Sequence, residues 1–364
     1  MLSRRELLKL GAYAFAATRF PRFARASSSP KKILILGGTG LLGPPTVERA
    51  LERGHIVTLF NRGKTNPDLF PTVEKIQGDR EPNDKGDLSG LAGDRNWDAV
   101  VDVWPSDPAI VTPAAKLLAN RTHYYFFVST ISVYADYSKI GIDETAPTRL
   151  DRPGYGGDKA RSEKALQEMF ADRVGIVRPS AIMGPRDDSL SYHFWLSRLA
   201  KDEEIVAPGT GDDAFVEYVD VRDVANWIID SVEQNRAGVY NVFSLPTPFR
   251  VFLEESSRGI GGKAKIVWVD GDFLRNEQHV RTFDHMPYWT PDRPGFERIS
   301  SAKARAAGFS GRPLSETAKD AWAWYQKAVA TDLAYPQKQY SFEWGISPER
   351  EREILATWKK KKAS

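Results

Sequence analysis

The 364-residue sequence contains no cysteine. That excludes disulfides, thiolate metal sites, iron–sulfur clusters and cysteine nucleophiles. Histidine is scarce as well: His55, His123, His193, His279 and His285 are scattered, with no HxH or HxxxH spacing. No metal site is therefore expected. No uninterrupted apolar run reaches the ~18 residues of a membrane-spanning helix, so no stable membrane insertion is expected. Internal repeats and long low-complexity linkers are absent too. What is present is ordinary for a globular chain: 41% apolar and 27% charged residues, enough to bury a full core without covalent staples. The length is about 2.4 times the usual per-domain figure, which allows one large domain or a domain plus a lobe.

The formal net charge of +3 is unevenly spread. Residues 1–26 hold six bases (Arg4, Arg5, Lys9, Arg19, Arg22, Arg25) against Glu6, a net +5, which leaves −2 for the rest. Lys359 to Lys362 form a basic tail, so the body between carries about −6. A nucleic-acid binder usually shows a basic face; no nucleic-acid partner is expected here.

The first thirty residues read as an address. Arg4-Arg5 opens a charged start, Leu10 to Ala17 is a modest apolar stretch, and Ala24-Arg25-Ala26 is a small-x-small end. These are the parts of a signal peptide, and the paired arginines resemble a twin-arginine export signal. Residues 1–26 are read as that signal, cleaved after Ala26, with the export machinery as a partner and the periplasm as the destination. That route carries proteins already folded.

Ile33 to Leu36 is a short buried-strand run, followed at once by Gly37-Gly38-Thr39-Gly40-Leu41-Leu42-Gly43. Val47 to Leu51 reads as helix and His55 to Phe60 as a second strand. In this strand–loop–helix–strand context the glycines allow close approach of backbone N–H groups to a pyrophosphate at a helix N-terminus. Asn61-Arg62-Gly63-Lys64 ends the second strand. An acid there would favour NAD. Two cations favour the 2′-phosphate of NADP instead, with NAD as the alternative. Further strands are read at Val73–Gly78, ending in Asp79, which can hydrogen-bond adenine, at Trp97–Val103 and at Tyr124–Ser129, with a helix at Ile110–Leu118. Alternating strands and helices imply a doubly wound parallel sheet, a Rossmann-type α/β fold.

Tyr155-Gly156-Gly157-Asp158-Lys159 is the one YxxxK in the chain. With 13 tyrosines, about one match is expected by chance, so position matters more than pattern. The motif follows Pro153-Gly154 and opens a helical run, Lys159 to Phe170. Spacing of four puts both side chains on one face. There an ammonium would lower the phenol toward working pH, fitting Tyr155 to exchange a proton with a C–OH group.

On these residues the chain resembles the NAD-dependent epimerase/dehydratase family of extended short-chain dehydrogenases/reductases. The loop Gly37 to Gly43 resembles its nucleotide loop. Val128-Ser129-Thr130-Ile131-Ser132-Val133-Tyr134 resembles the strand end that carries the catalytic Ser/Thr, aligned with Thr130, and Tyr155 follows 25 residues on. Arg178 to Arg186, Tyr218 to Ala225 and Gly238 to Val242 resemble later segments, so the likeness covers roughly 31–330. It implies Tyr155 as acid/base, Thr130 hydrogen-bonded to the reacting oxygen, and Lys159 on the nicotinamide ribose. Ser129 and Ser132 are the alternatives to Thr130. The implied cofactor residues are Gly37, Thr39, Gly40, Leu41, Leu42, Gly43, Asn61, Arg62, Lys64, Asp79, Trp104, Tyr155, Lys159 and Pro179.

The departures from the family pattern bear on substrate. Members acting on nucleotide sugars commonly carry Asn where Ala181 stands. Their His-Leu-Ala-Ala is replaced by Asp102-Val103-Trp104-Pro105. Arg62 resembles the branch containing chloroplast stem-loop-binding proteins.

The expected organisation is a nucleotide domain at 31–180, a substrate lobe at 181–330 with 217–243 returning to the sheet, and a helical extension at 331–364. In the lobe, Ser191 to Trp195 is read as core and His193 as structural. Asp284 to Pro294 is read either as a cover over the pocket or as a Pro-stiffened connection. Ser347 to Trp358 looks like a capped, charged helix. Ala160 to Phe170 offers the face for a homodimer. Diffusible NADP(H) is not expected in the periplasm. A tightly held cofactor and a redox-neutral reaction on a sugar or polyol therefore fit best. The alternatives are an exchanging carbonyl reductase and a non-catalytic nucleotide-binding sensor or RNA-associated protein.

Overall fold

The computed structural model describes residues 29–81, 86–103, 105–187, 189–330 and 345–363. The signal segment, 1–26, and Trp104 lie outside them. The nucleotide half is built from β1 (Lys32–Leu36), α1 (Gly43–Glu52), β2 (Ile56–Asn61), β3 (Glu74–Gln77), β4 (Trp97–Asp102), α2 (Pro108–Leu118), β5 (Thr122–Val128), α3 (Tyr155–Phe170) and β6 (Val174–Pro179). There follow β7 (Ala181–Met183), α4 (Ser191–Leu199), β8 (Glu204–Pro208), β9 (Phe215–Val216), β10 (Tyr218–Asp220), α5 (Val221–Gln234) and β11 (Gly238–Val242). The chain closes with β12 (Thr247–Pro248), α6 (Phe249–Ile260), β13 (Lys265–Val269), α7 (Ala302–Ala306), α8 (Leu314–Ala330) and α9 (Pro348–Ala363).

Seven strands form one parallel sheet in the order β11-β6-β5-β4-β1-β2-β3. β1 lies between β4 and β2, and Ile33 to Leu36 are buried on both sides. That is why it reads as a continuous apolar run rather than an alternating one. The chain reverses its direction of winding between β1 and β4, the point where open α/β sheets bind ligands beyond their strand ends.

Each face of the sheet has its own core. One joins Ile33, Ile35, Val47 and Leu59 to Val224 and Ile228 of α5. The other joins Leu34, Leu36, Phe60, Tyr125 and Phe127 to Ala114, Ala115 and Leu118 of α2 and Leu166 and Phe170 of α3.

A third core belongs to the lobe. Tyr192, Trp195, Phe249 and Phe252 meet Tyr288 and Trp289 there. The aromatics of α4 are therefore core, as their spacing implies. His193 is also buried, stacked on Tyr325 with ring centroids 4.6 Å apart. Desolvation pushes it down to about 4, so it is neutral at physiological pH. The reading of Asp284–Pro294 as a pocket cover is corrected: Tyr288 and Trp289 are buried, and Trp195 Nε1 donates to the Pro287 carbonyl (3.0 Å). This segment anchors the lobe, because its large rings find more apolar surface inward than over a cleft.

α9 packs back on the same lobe. Its Ile354 and Leu355 are buried, and Glu351 takes Arg198 and the Val206 N–H.

Candidate functional site

The loop after β1 explains its glycines. Gly37 and Gly38 have φ of +117° and +99°, a region that favours residues without Cβ. A Cβ on Gly43 would run into the Gly38 backbone, so the start of α1 can sit this close only with glycine. Pro44 and Pro45 occupy the first turn and bring no N–H. The donors left at this helix start are the backbone N–H groups of Leu42 and Gly43.

Asn61 binds the loop from the side, its Nδ2 donating to the Gly37 carbonyl (3.1 Å) and its Oδ1 accepting from the Gly63 N–H (2.9 Å). Asn66 Nδ2 donates to the Thr39 carbonyl (2.9 Å). The result is an open cleft of about 780 Å³ lined by Thr39, Gly40, Leu41, Leu42, Gly43, Asn61, Arg62, Gly63, Lys64, Thr65 and Val103. Among the described residues, neither Arg62 nor Lys64 has an ion-pair partner, and both are exposed at its rim.

Free donors at a helix start, a close glycine turn and two rim cations fit a phosphorylated dinucleotide. Eight of the cofactor residues read from the sequence meet in this cleft. Pro179, the last residue of β6, lies outside its walls. So does Asp79, whose Oδ1 accepts from the Glu81 N–H (3.2 Å) and supports the following turn.

The second constellation lies at the C-terminal end of β5 and the start of α3. Thr130 is extended and caps the short turn Ile131–Val133 by accepting from the Ser132 N–H (3.1 Å), and its side chain faces the Tyr155 hydroxyl. Ser129, the neighbouring alternative, has a buried hydroxyl with no hydrogen-bond partner.

Tyr155 opens α3 after Gly154, whose φ is +89°. The helix begins four residues earlier than the run Lys159–Phe170 suggests, because Gly156 and Gly157 belong to it. A Cβ on Gly156 would meet the Ser132 carbonyl, and one on Gly157 the Arg152 carbonyl. Glycine is a poor helix former, but here only glycine lets the first turn lie against those backbones and hold Tyr155 opposite Thr130.

One expectation is corrected. The phenol of Tyr155 is raised above its usual value, with desolvation the main cause and the Thr130 hydrogen bond opposing it. The residue as a whole is 56% exposed, so the desolvation acts at the hydroxyl end while the ring flanks open space. Lys159 is turned inward: its Nζ donates to the Val128 carbonyl (2.5 Å) and sits 4.6 Å from the Phe127 ring centroid.

Two polar clusters were not legible in the sequence. Asp102, fully buried at the end of β4, accepts from Arg80 through both oxygens and from the Tyr125 hydroxyl, each at 2.9 Å. Glu217 and Glu297 are buried together, the Glu217 N–H donating to Glu297 Oε2 (2.8 Å). Neither carboxylate oxygen of Glu217 has a partner of good hydrogen-bonding geometry. The only signal for the first cluster is the acid standing where the family pattern has histidine; for the second there is none. Among the described residues no group of three or more His, Asp or Glu is placed to hold a metal ion.

A family model described as "NAD dependent epimerase/dehydratase family" matches residues 33–243. The chain is 28% identical over 203 residues to the chloroplast stem-loop binding protein of 41 kDa b of Arabidopsis thaliana, covering 51% of each. It is 26% identical over 168 residues to the UDP-glucose 4-epimerase of Neisseria meningitidis serogroup B, covering 38% of this chain and 48% of that protein. The chain thus spans about half the length of the curated relatives it matches. Among solved structures, the Bordetella bronchiseptica enzyme WbmH in complex with NAD+ superposes with a TM-score of 0.60 at 19% identity, over 82% of this chain and 99% of that one. WbmG from the same organism, in complex with NAD and UDP, gives 0.61 at 19%, over 84% and 98%. These likenesses show the fold.

Proposed function

The chain belongs to the NAD dependent epimerase/dehydratase family, and from that premise we propose that it is a redox-neutral oxidoreductase acting at a carbinol carbon of a sugar or polyol. The observation that carries this reading is the meeting of Thr130 and the Tyr155 hydroxyl at the end of β5, with Lys159 one turn along the same helix. In this reading the Gly37–Gly43 loop holds the pyrophosphate, and Arg62 and Lys64 grip a 2′-phosphate, which favours NADP over NAD. When bound, the nicotinamide supplies a hydride acceptor that later returns the hydride.

The chain's own residues do the rest. Thr130 fixes the substrate oxygen beside the Tyr155 hydroxyl. Tyr155 takes that oxygen's proton as the carbonyl forms and gives it back as the carbinol is restored. Burial raises its phenol, so Tyr155 takes the substrate's proton only after its own has passed to the water that the exposed residue borders. Ala181, at the start of β7, has no donor, which favours a substrate other than a nucleotide sugar.

Arg4-Arg5 support export to the periplasm by the twin-arginine route, and a folded, loaded cargo accounts for a cofactor that is not exchanged. The test is to isolate the protein from the exported fraction, denature it and identify the nucleotide released. About one NADP per chain, resistant to dialysis, is the expected result. Bound NAD would overturn the role of Arg62. An empty protein that binds NADPH weakly would point to an exchanging reductase.

A further inference from the structure

The ammonium of Lys159 lies in a dry place. It is buried beneath Phe127, and burial, outweighing the charges around it, pulls its pKa down to about 7. Two carboxylates oppose that fall, Asp102 and then Glu163, and the Arg80 guanidinium adds to it. Glu163, on the same helix, is already committed to Arg178 of β6 through a two-pronged ion pair (3.0 and 2.6 Å).

Asp102 is differently placed. It stands beside Phe127 in the β4–β5 register and shares a sheet face with Tyr125 and Phe127. Its carboxylate is clamped by Arg80 from the segment after β3 and by the Tyr125 hydroxyl from β5. Two strong donors fix where its oxygens sit.

We propose that Asp102 is a positioning residue for Lys159: its clamped carboxylate, beside Phe127, favours the charged form of the lysine seated against that ring, and Arg80 sets how strongly it does so. This rests on the reading of Tyr155 and Lys159 as the working pair. It assigns a task to the acid that replaces the family's histidine at the end of β4.

The charges facing Lys159 are Asp102 from β4, Glu163 from α3 and Arg80 from the β3 connection. That makes the expected signs opposite for two variants. Asp102→Asn removes the stronger favourable charge, so the proton affinity of Lys159 falls by about tenfold or more. Arg80→Met removes the unfavourable charge and leaves Lys159 as the carboxylate's strong cationic neighbour, so the affinity rises. A merely structural role for the cluster would move both the same way or neither.

The probe is the Lys159 Cε resonance of the full chain labelled at lysine. It is assigned by its loss in Lys159→Arg and followed across the neutral and alkaline range. Opposite shifts support the proposal. An unmoved Lys159 in Asp102→Asn, or shifts of one sign in both variants, overturns it. Should Asp102→Asn fail to fold, Arg80→Met decides alone: no upward shift overturns it. Activity of Tyr155→Phe is scored separately. A dispensable Tyr155 beside a responsive Lys159 would retire the active-site reading, and an essential Tyr155 beside an unresponsive Lys159 would retire only the role of Asp102.

Discussion

At the scale of single residues, Tyr155 gives the sharpest expectation. The residue is more than half exposed, so little of the fold leans on it. Tyr155→Phe removes the proton carrier and keeps the ring. The slow reduction of bound nicotinamide by free hexoses and polyols, followed by absorbance, should drop by about 10²–10⁴-fold. Released nucleotide should stay near the wild-type amount, and the melting temperature should stay within about 2 °C. Retained reduction would remove Tyr155 from the chemistry. The residues of this site were legible because they come in short runs: a glycine loop, a strand end, a YxxxK. The partners of Lys159 were not. Arg80, Asp102 and Tyr125 are separated by 22 and 23 residues along the chain; the parallel pairing of β4 with β5 brings Asp102 to Tyr125, and Arg80 reaches them from the segment after β3. The same spacing argument that placed Lys159 beside Tyr155 did not see the Val128 carbonyl, which accepts from the ammonium and holds it inward (2.5 Å).

At the scale of elements, α3 shows why a boundary was missed and what that boundary does. Pro153-Gly154 reads as a break and the helical run as starting at Lys159, since glycine is unfavourable in a helix by about 1 kcal/mol. Gly156 and Gly157 are the first turn instead, and the Ser132 and Arg152 carbonyls occupy the space a Cβ on them would need. Gly157→Ala should therefore be destabilising although alanine is the better helix former. The expected loss is about 1–3 kcal/mol, the usual range for forced overpacking, read as a lower denaturation midpoint. Because the first turn carries Tyr155, the reduction assay should fall with it. A more stable Gly157→Ala would mean the turn has room, and would undo this account of how Tyr155 is placed. Elements with plain signals need no such correction. β1 is a buried apolar run, and α7 stops where Gly308 takes φ of +95°. α9 begins with Ser347 accepting from the Arg350 N–H (3.2 Å).

For the molecule as a whole, the seam between the sheet and the lobe sets the pH response. Glu217 lies between β9 and β10, its carbonyl accepting from Ser180 (2.8 Å) just after β6. Glu297 reaches it from the segment that crosses back onto the nucleotide half, where Gly295 donates to the Tyr137 carbonyl (2.8 Å) and Gly141 to that of Arg298 (2.7 Å). Desolvation and then mutual repulsion push Glu217 up to about 10; desolvation pushes Glu297 up to about 8. The Ile299 backbone pulls Glu217 the other way without cancelling this. In the unfolded chain both ionise near 4.5. The folded state therefore keeps protons that the unfolded chain releases. Stability from this pair is complete below pH 4.5 and is lost as pH rises through 8 toward 10. Glutamine keeps the neutral shape without the titration. Glu217→Gln should accordingly melt about 2 °C or more above the wild type near pH 8, with the gap closing near pH 4.5. Calorimetry at the two pH values checks it. A variant that melts lower near pH 8 would show that the seam needs a charged Glu217, and a pH-independent gap would show that packing rather than protonation separates the two proteins.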